Sequence, residues 1–214
     1  MKRTPSRAEE IASSITHGIG FAASLLALPV LVVVAAGSRD PWQVAGSTIF
    51  GITLVLLYGA STVYHALPPS GARRLFRRLD QSAIYLLIAG TYSPFTLGVL
   101  RGPWGWSLFG TVWTLAGAGI VFTGLLGERF PHVSTALYLL MGWLVFVAIR
   151  PLIALVNPVG LGLLAAGGFS YTVGVVFYVW ERLRYGHLVW HLFVTAGSAC
   201  HFFAALWYAG RPPT

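Results

Sequence analysis

The sequence predicts an all-α integral membrane protein: a seven-transmembrane-helix bundle with its N-terminus in the cytoplasm and its C-terminus outside. Three observations carry that expectation. Of the 214 residues, 56% are hydrophobic and only 9% charged, with a mean hydropathy of +0.73. That exceeds what one soluble core absorbs, so the solvent is a bilayer. The apolar residues also fall into seven runs, each near the roughly 20 residues that cross a hydrocarbon layer of about 30 Å. Finally, the basic residues sit in the joints between runs. Despite a pI near 10.2, that placement fits anionic lipid headgroups and not nucleic acid. The single cysteine, Cys200, lies inside an apolar run, which excludes a disulfide framework and a cysteine-based zinc site.

Taken in order, residues 1–13 form a polar N-terminal segment with Lys2, Arg3 and Arg7 beside Glu9 and Glu10. The first run covers 15–36. A cleaved signal peptide is its rival reading, because basic residues precede it and Val34, Ala35 and Ala36 resemble a cleavage site. The run is longer than the usual apolar region of about 7–15 residues in such a leader. The next runs cover 42–64, 82–100, 104–126, 133–149, 160–180 and 188–209. Arg150 and Pro151 interrupt the fifth, and the stretch after them either extends it or forms an outer loop. Trp42, Trp104, Trp106, Trp180 and Trp207 lie close to run ends, as interfacial anchors do. Gly167, Gly168, Tyr171 and Gly174 read as close helix packing. The whole is one domain over 14–210 with a short C-terminal tail, 211–214, and no loop is long enough for a soluble domain.

Loop charge sets the orientation. Joints on the N-terminal side carry ten basic residues (Lys2, Arg3, Arg7, Arg73, Arg74, Arg77, Arg78, Arg129, Arg182 and Arg184). Joints on the other side carry four: Arg39, Arg101, Arg150 and Arg211. The richer side faces the cytoplasm.

Half of the six histidines lie between 187 and 201. On a helix His187 and His191 share a face about 6 Å apart along the axis and can hold one ion. His201 lies about 15 Å beyond His191 and cannot join them. The expected topology puts His65, Asp80, His187 and His191 at the same cytoplasmic end, with Ser61 one turn before His65. Three imidazoles and a water make an open zinc site of the catalytic kind. Plainer readings exist for each group: Asp80 as the N-cap of the third helix, His65 as a polar helix end, the histidine pair as an interhelical hydrogen-bonding device. Ionisable groups at membrane depth nevertheless read as functional, and these converge on one rim. His17 reads as a supporting group or a helix-packing hydrogen bond, His201 as a satisfied core histidine, and His132 carries no role.

The stretch from Glu10 to Gly20, Ser61 with Tyr64 and His65, the stretch from Leu79 to Phe95, that from Tyr138 to Trp143, and the one from His187 to His201 resemble the bacterial hemolysin III family, itself related to the progestin and adipoQ receptors. The likeness runs in order from Glu10 to Phe203, with one departure: Ser13 stands where the family usually has Asn. The resemblance implies a seven-helix bundle in the bacterial cytoplasmic membrane, with zinc held by His65, His187 and His191. Asp80 would bind the water of the metal, supported by Ser61. Similar receptors and alkaline ceramidases are linked to zinc-dependent hydrolysis of lipid amides, whereas the family name reflects cell lysis and other members are associated with lipid homeostasis. The expectation is therefore a zinc-dependent hydrolase of membrane acyl lipids. A pore-forming or lipid-sensing protein with structural zinc is the alternative.

Overall fold

The computed structural model describes residues 5–127, 129–180 and 182–210. Segments 1–4 and 211–214, and with them Lys2, Arg3, Arg211 and the expected tail, lie outside the described residues. The elements are α1 (Arg7–Ala36), α2 (Pro41–Ala66), α3 (Gly71–Leu97), α4 (Pro103–Leu126), α5 (Pro131–Gly142), a 3-10 segment (Leu144–Ala148), α6 (Ile149–Leu155), α7 (Pro158–Val179) and α8 (Gly186–Tyr208). No strand occurs among the described residues. Because α5, the 3-10 segment and α6 form one stretch over Pro131–Leu155, the described chain consists of seven helical rods.

Six rods are long and apolar enough to cross a membrane: α1, α2, α4, the α5–α6 rod, α7 and α8. The remaining one, α3, divides in two. Its first half carries Arg73, Arg74, Arg77, Arg78 and Asp80, while from Ala89 to Leu97 every residue is buried. The outward faces of the other rods are apolar, with Leu26, Val33 and Leu125 among the most exposed side chains, and Ser13, His17, Ser61, His65 and His191 are buried. Polar groups inside and aliphatic groups outside are what a bilayer solvent selects.

Local chemistry explains where the helices start. Ser6 caps α1 in a reciprocal box with Glu9, so the helix begins at Arg7, well ahead of the apolar run. Proline stands in the first turn of α2, α4, α5 and α7, where its missing N–H leaves no bond unmade. Ser70, not Asp80, caps α3 by accepting the Arg73 N–H at 3.1 Å. Asp80 sits inside the helix, so its reading as a cap falls.

The fifth rod breaks upstream of the expected point. Pro151 falls in the first turn of α6, where the helix tolerates it, and the stretch after it extends the rod. The α-helical pattern is lost instead between Gly142 and Ile149, and the Tyr92 hydroxyl on α3 fills the gap. At Gly20 a close approach requires glycine: a Cβ there would stand 2.5 Å from the Tyr58 ring. That contact brings Tyr58 edge-on to His17, with ring centroids 5.0 Å apart.

Candidate metal centre

Three rods build the centre. The last two turns of α2 carry Ser61 and His65 on one face, and α8 opens with His187 and His191 on one face. The chain enters α8 through Tyr185, held at a φ of 58°, whose N–H donates to Glu9 of α1 at 2.7 Å. That bond fixes the start of the helix two residues before His187.

The three histidines expected from sequence meet. One ring nitrogen from each of His65, His187 and His191 lies within 4.8 Å of the other two. The Nε2 atoms of His65 and His187 are 3.2 Å apart. A tetrahedral ion held at about 2.0–2.1 Å by two imidazoles separates their nitrogens by roughly 3.3 Å, so the spacing fits. His65 and His191 are buried and His187 is half-buried.

Two of the three outer nitrogens have partners on α1. His65 Nδ1 donates to Glu10 Oε2 at 2.7 Å, and His191 Nδ1 lies 3.3 Å from the carbonyl of Ser13. Each bond leaves Nε2 of its ring free to bind an ion, the arrangement metal-ligating histidines adopt. The group used at position 13 is the main-chain carbonyl, so serine in place of asparagine does not remove it. Three imidazoles converging on one point, two of them oriented in this way, form a donor set suited to a divalent transition ion such as zinc.

Asp80 and Ser61 lie next to this group. Asp80 lines the same cavity as the histidines and lies close enough to His65 and Ser61 to interact with both. It does not belong to the group of atoms that converge on one point. Ser61 is fully buried, and its hydroxyl makes no hydrogen bond to protein. His17 is also buried with both ring nitrogens unpartnered, and its ring stacks on that of His191 with centroids 3.5 Å apart and planes 10° apart. His201 lies apart from the cluster: its Nδ1 donates to the Gly197 carbonyl at 2.9 Å and its ring stacks on Tyr171. His132 is exposed near the start of α5.

The centre opens into a cavity of about 1590 Å³ running from Arg73, Arg77 and Tyr64 at the rim past the histidines to Phe95, Leu152 and His201. Ordinary small-molecule pockets hold about 300–1,000 Å³. The lining beyond the histidines is mostly apolar, with Leu87, Leu108, Leu161 and Val194 among it.

Sequence reasoning gave Glu9 and Glu10 no role at the centre, although Glu10 opens one of the stretches that carry the family resemblance. A signal was present. Glu10, Ser13 and His17 are spaced three and four apart, so they share one helix face.

Among known proteins, the chain matches the family model described as Haemolysin-III related over residues 6–202. It is 48% identical over 200 residues to the "Hemolysin-3" of Bacillus cereus, covering 94% of this chain and 91% of that one. It is 45% identical to the "Hemolysin-3 homolog" of Bacillus subtilis (strain 168), covering 96% of both. The human "Monocyte to macrophage differentiation factor" is 31% identical over 219 residues, 98% of this chain and 88% of that protein. No solved structure matches the chain significantly.

Proposed function

This chain belongs to the haemolysin III family and is a multi-pass bacterial membrane protein; from that premise we propose that it binds zinc and hydrolyses the amide or ester bond of a membrane acyl lipid. In this reading α3 is a seventh crossing, supported by the enclosure of its 89–97 stretch within the bundle. The N-terminus then faces the cytoplasm and the C-terminus the outside, a direction supported by the excess of arginine on one side. The observation that carries the reading is the convergence of the His65, His187 and His191 nitrogens, with the Asp80 carboxyl beside them and outside the ligand set.

When bound, the ion supplies a water acidified toward a pKa of about 7 and a Lewis acid for the carbonyl. The protein groups divide the remaining work. The Asp80 carboxylate accepts the proton of the attacking water and returns it to the departing amine or alcohol as the acyl bond breaks. Ser61, close to Asp80 and with its hydroxyl free of other protein partners, is placed to donate to that carboxylate once substrate and water are bound. His65, His187 and His191 hold the ion. The apolar cavity wall takes up the acyl chain, which reaches the centre from within the membrane.

Metal analysis of the purified protein, combined with mass spectrometry of lipids before and after incubation with it, tests this. About one zinc per chain and appearance of a free acyl product are expected. A second reading, zinc as a staple between helices in a lytic or lipid-sensing protein, is favoured by the closeness of His65 on α2 to His187 on α8 and by the name borne by the Bacillus relatives. In that case zinc is present and no lipid product forms.

A further inference from the structure

We propose that α1, which supplies none of the three imidazoles, is the clamp that orients them, and that Glu10 is the positioning residue for His65. The proposal rests on the zinc reading of the centre. Every ligand-bearing element is held by a different group on one stretch of α1. Glu10 Oε2 accepts from His65 Nδ1 at 2.7 Å, the Ser13 carbonyl lies 3.3 Å from His191 Nδ1, and Glu9 Oε1 accepts the Tyr185 N–H at the entry to α8 at 2.7 Å. His17 adds a stacked ring behind His191. Successive turns of one helix thus serve α2, the entry to α8 and its second turn.

Glu10 has the most specific task. Its second oxygen, Oε1, pairs with Arg73 Nη2 at 2.6 Å, and the Arg73 guanidinium lies over the Tyr64 ring at 5.1 Å from its centroid. A carboxylate held from both sides cannot rotate away from His65. Because it only accepts, it keeps the His65 proton on Nδ1 and leaves the Nε2 lone pair for the ion. Charge on the carboxylate also makes the imidazole a better donor. A plain ion pair with Arg73 at the rim would make no such demand on His65.

The test is a zinc competition titration against a chromophoric chelator, with the visible absorption of the cobalt(II)-loaded protein as a second readout. Glu10→Gln keeps the shape of the side chain and loses its charge, and its amide group can present a donor to His65. A fall in zinc affinity of about 10–100-fold is expected, the range typical for such outer partners, together with an altered cobalt spectrum and about one site per chain at saturating metal. Arg73→Gln, which breaks only the rim pair, should lower affinity less than Glu10→Gln. Should Glu10→Gln not reach the membrane, Glu10→Asp retracts the carboxylate by one methylene and carries the same comparison. Zinc affinity and cobalt spectrum of Glu10→Gln equal to those of the parent overturn the clamp while leaving the zinc centre standing. A parent that binds no zinc overturns both.

Discussion

The hydroxyl of Tyr92 accepts the N–H of Val145 at 3.0 Å, and its proton is shared between the carbonyls of Met141 at 2.8 Å and Gly142 at 2.9 Å. One side chain of α3 thereby satisfies the main chain where the fifth rod leaves α-helical geometry. At membrane depth no water stands ready to do so. Tyr92→Phe removes its bonds to all three groups, of which the one to the Met141 carbonyl is buried, at a cost of about 1–3 kcal/mol for a buried group left unsatisfied. Lower thermal stability in detergent, with zinc stoichiometry unchanged, is the expected result; parental stability would show that the break needs no latch.

Zinc content separates ligands from bystanders. His65→Ala, His187→Ala and His191→Ala should each remove most bound zinc and lower the melting temperature, since an ion that binds only the folded state stabilises it. His201→Ala and His132→Ala should keep the parental stoichiometry. Unchanged zinc in any of the first three variants counts against that residue as a ligand.

Asp80→Asn separates enzyme from staple. An aspartate that moves a proton is not needed to hold the ion, so this variant should retain zinc and lose hydrolysis by a factor of about 10²–10⁴. Loss of zinc would make Asp80 a ligand. Retained zinc with an unchanged lipid product would remove it from the chemistry.

Topology is open to reporter fusions. A reporter after Thr214, a position outside the described residues, should read as outside the cytoplasm, and one inserted between 68 and 71 should read as inside. A cytoplasmic C-terminus would remove α3 as a crossing or reverse the bundle.

At the opposite rim, Asp40 Oδ1 caps α2 and meets Arg101 Nη1 at 2.6 Å. The hydrogen bond from Arg101 holds the Asp40 carboxyl below the usual carboxylate range, against a smaller opposing effect of burial. Because the folded value is lowered, the pair's contribution is present above the unfolded value of about 3.9 and fades as pH falls through the lowered one. Both side chains are partly exposed, so less than about 1 kcal/mol is at stake. Asp40→Asn should therefore cost little at pH 7 and flatten the acid limb of the melting-temperature profile; a parental acid limb would show that the pair does not contribute.

Much of this arrangement is legible in the sequence because the bilayer writes it in large letters. Runs of about 20 apolar residues give the rods, and the four-residue spacing of His187 and His191 gives two of the three histidines. What stays hidden depends on contacts between distant elements. Nothing local in Pro131–Leu155 says that the helix breaks before Arg150, since the compensating hydroxyl comes from Tyr92. Glu10 looks like surface charge until α2 and α3 bring His65 and Arg73 to it. Asp80 reads as a helix cap while the charged start of α3 is taken for a loop; Ser70 is the true cap because its hydroxyl, ahead of Gly71, reaches the Arg73 N–H.

Two partners of α1 lie at the far end of the chain: 176 positions separate Glu9 from Tyr185, and 178 separate Ser13 from His191. A ribosome delivers the first rod long before the last, and domains otherwise tend to mature from the N-terminus as they emerge. Here the polar face of the first rod must wait for the final one. A nascent chain stalled before Gly186 carries Ser13 and His17 without the His191 ring that they meet in α8, in an apolar setting that penalises unmatched polar groups. Closure of the bundle around the histidines therefore needs the last rod in place.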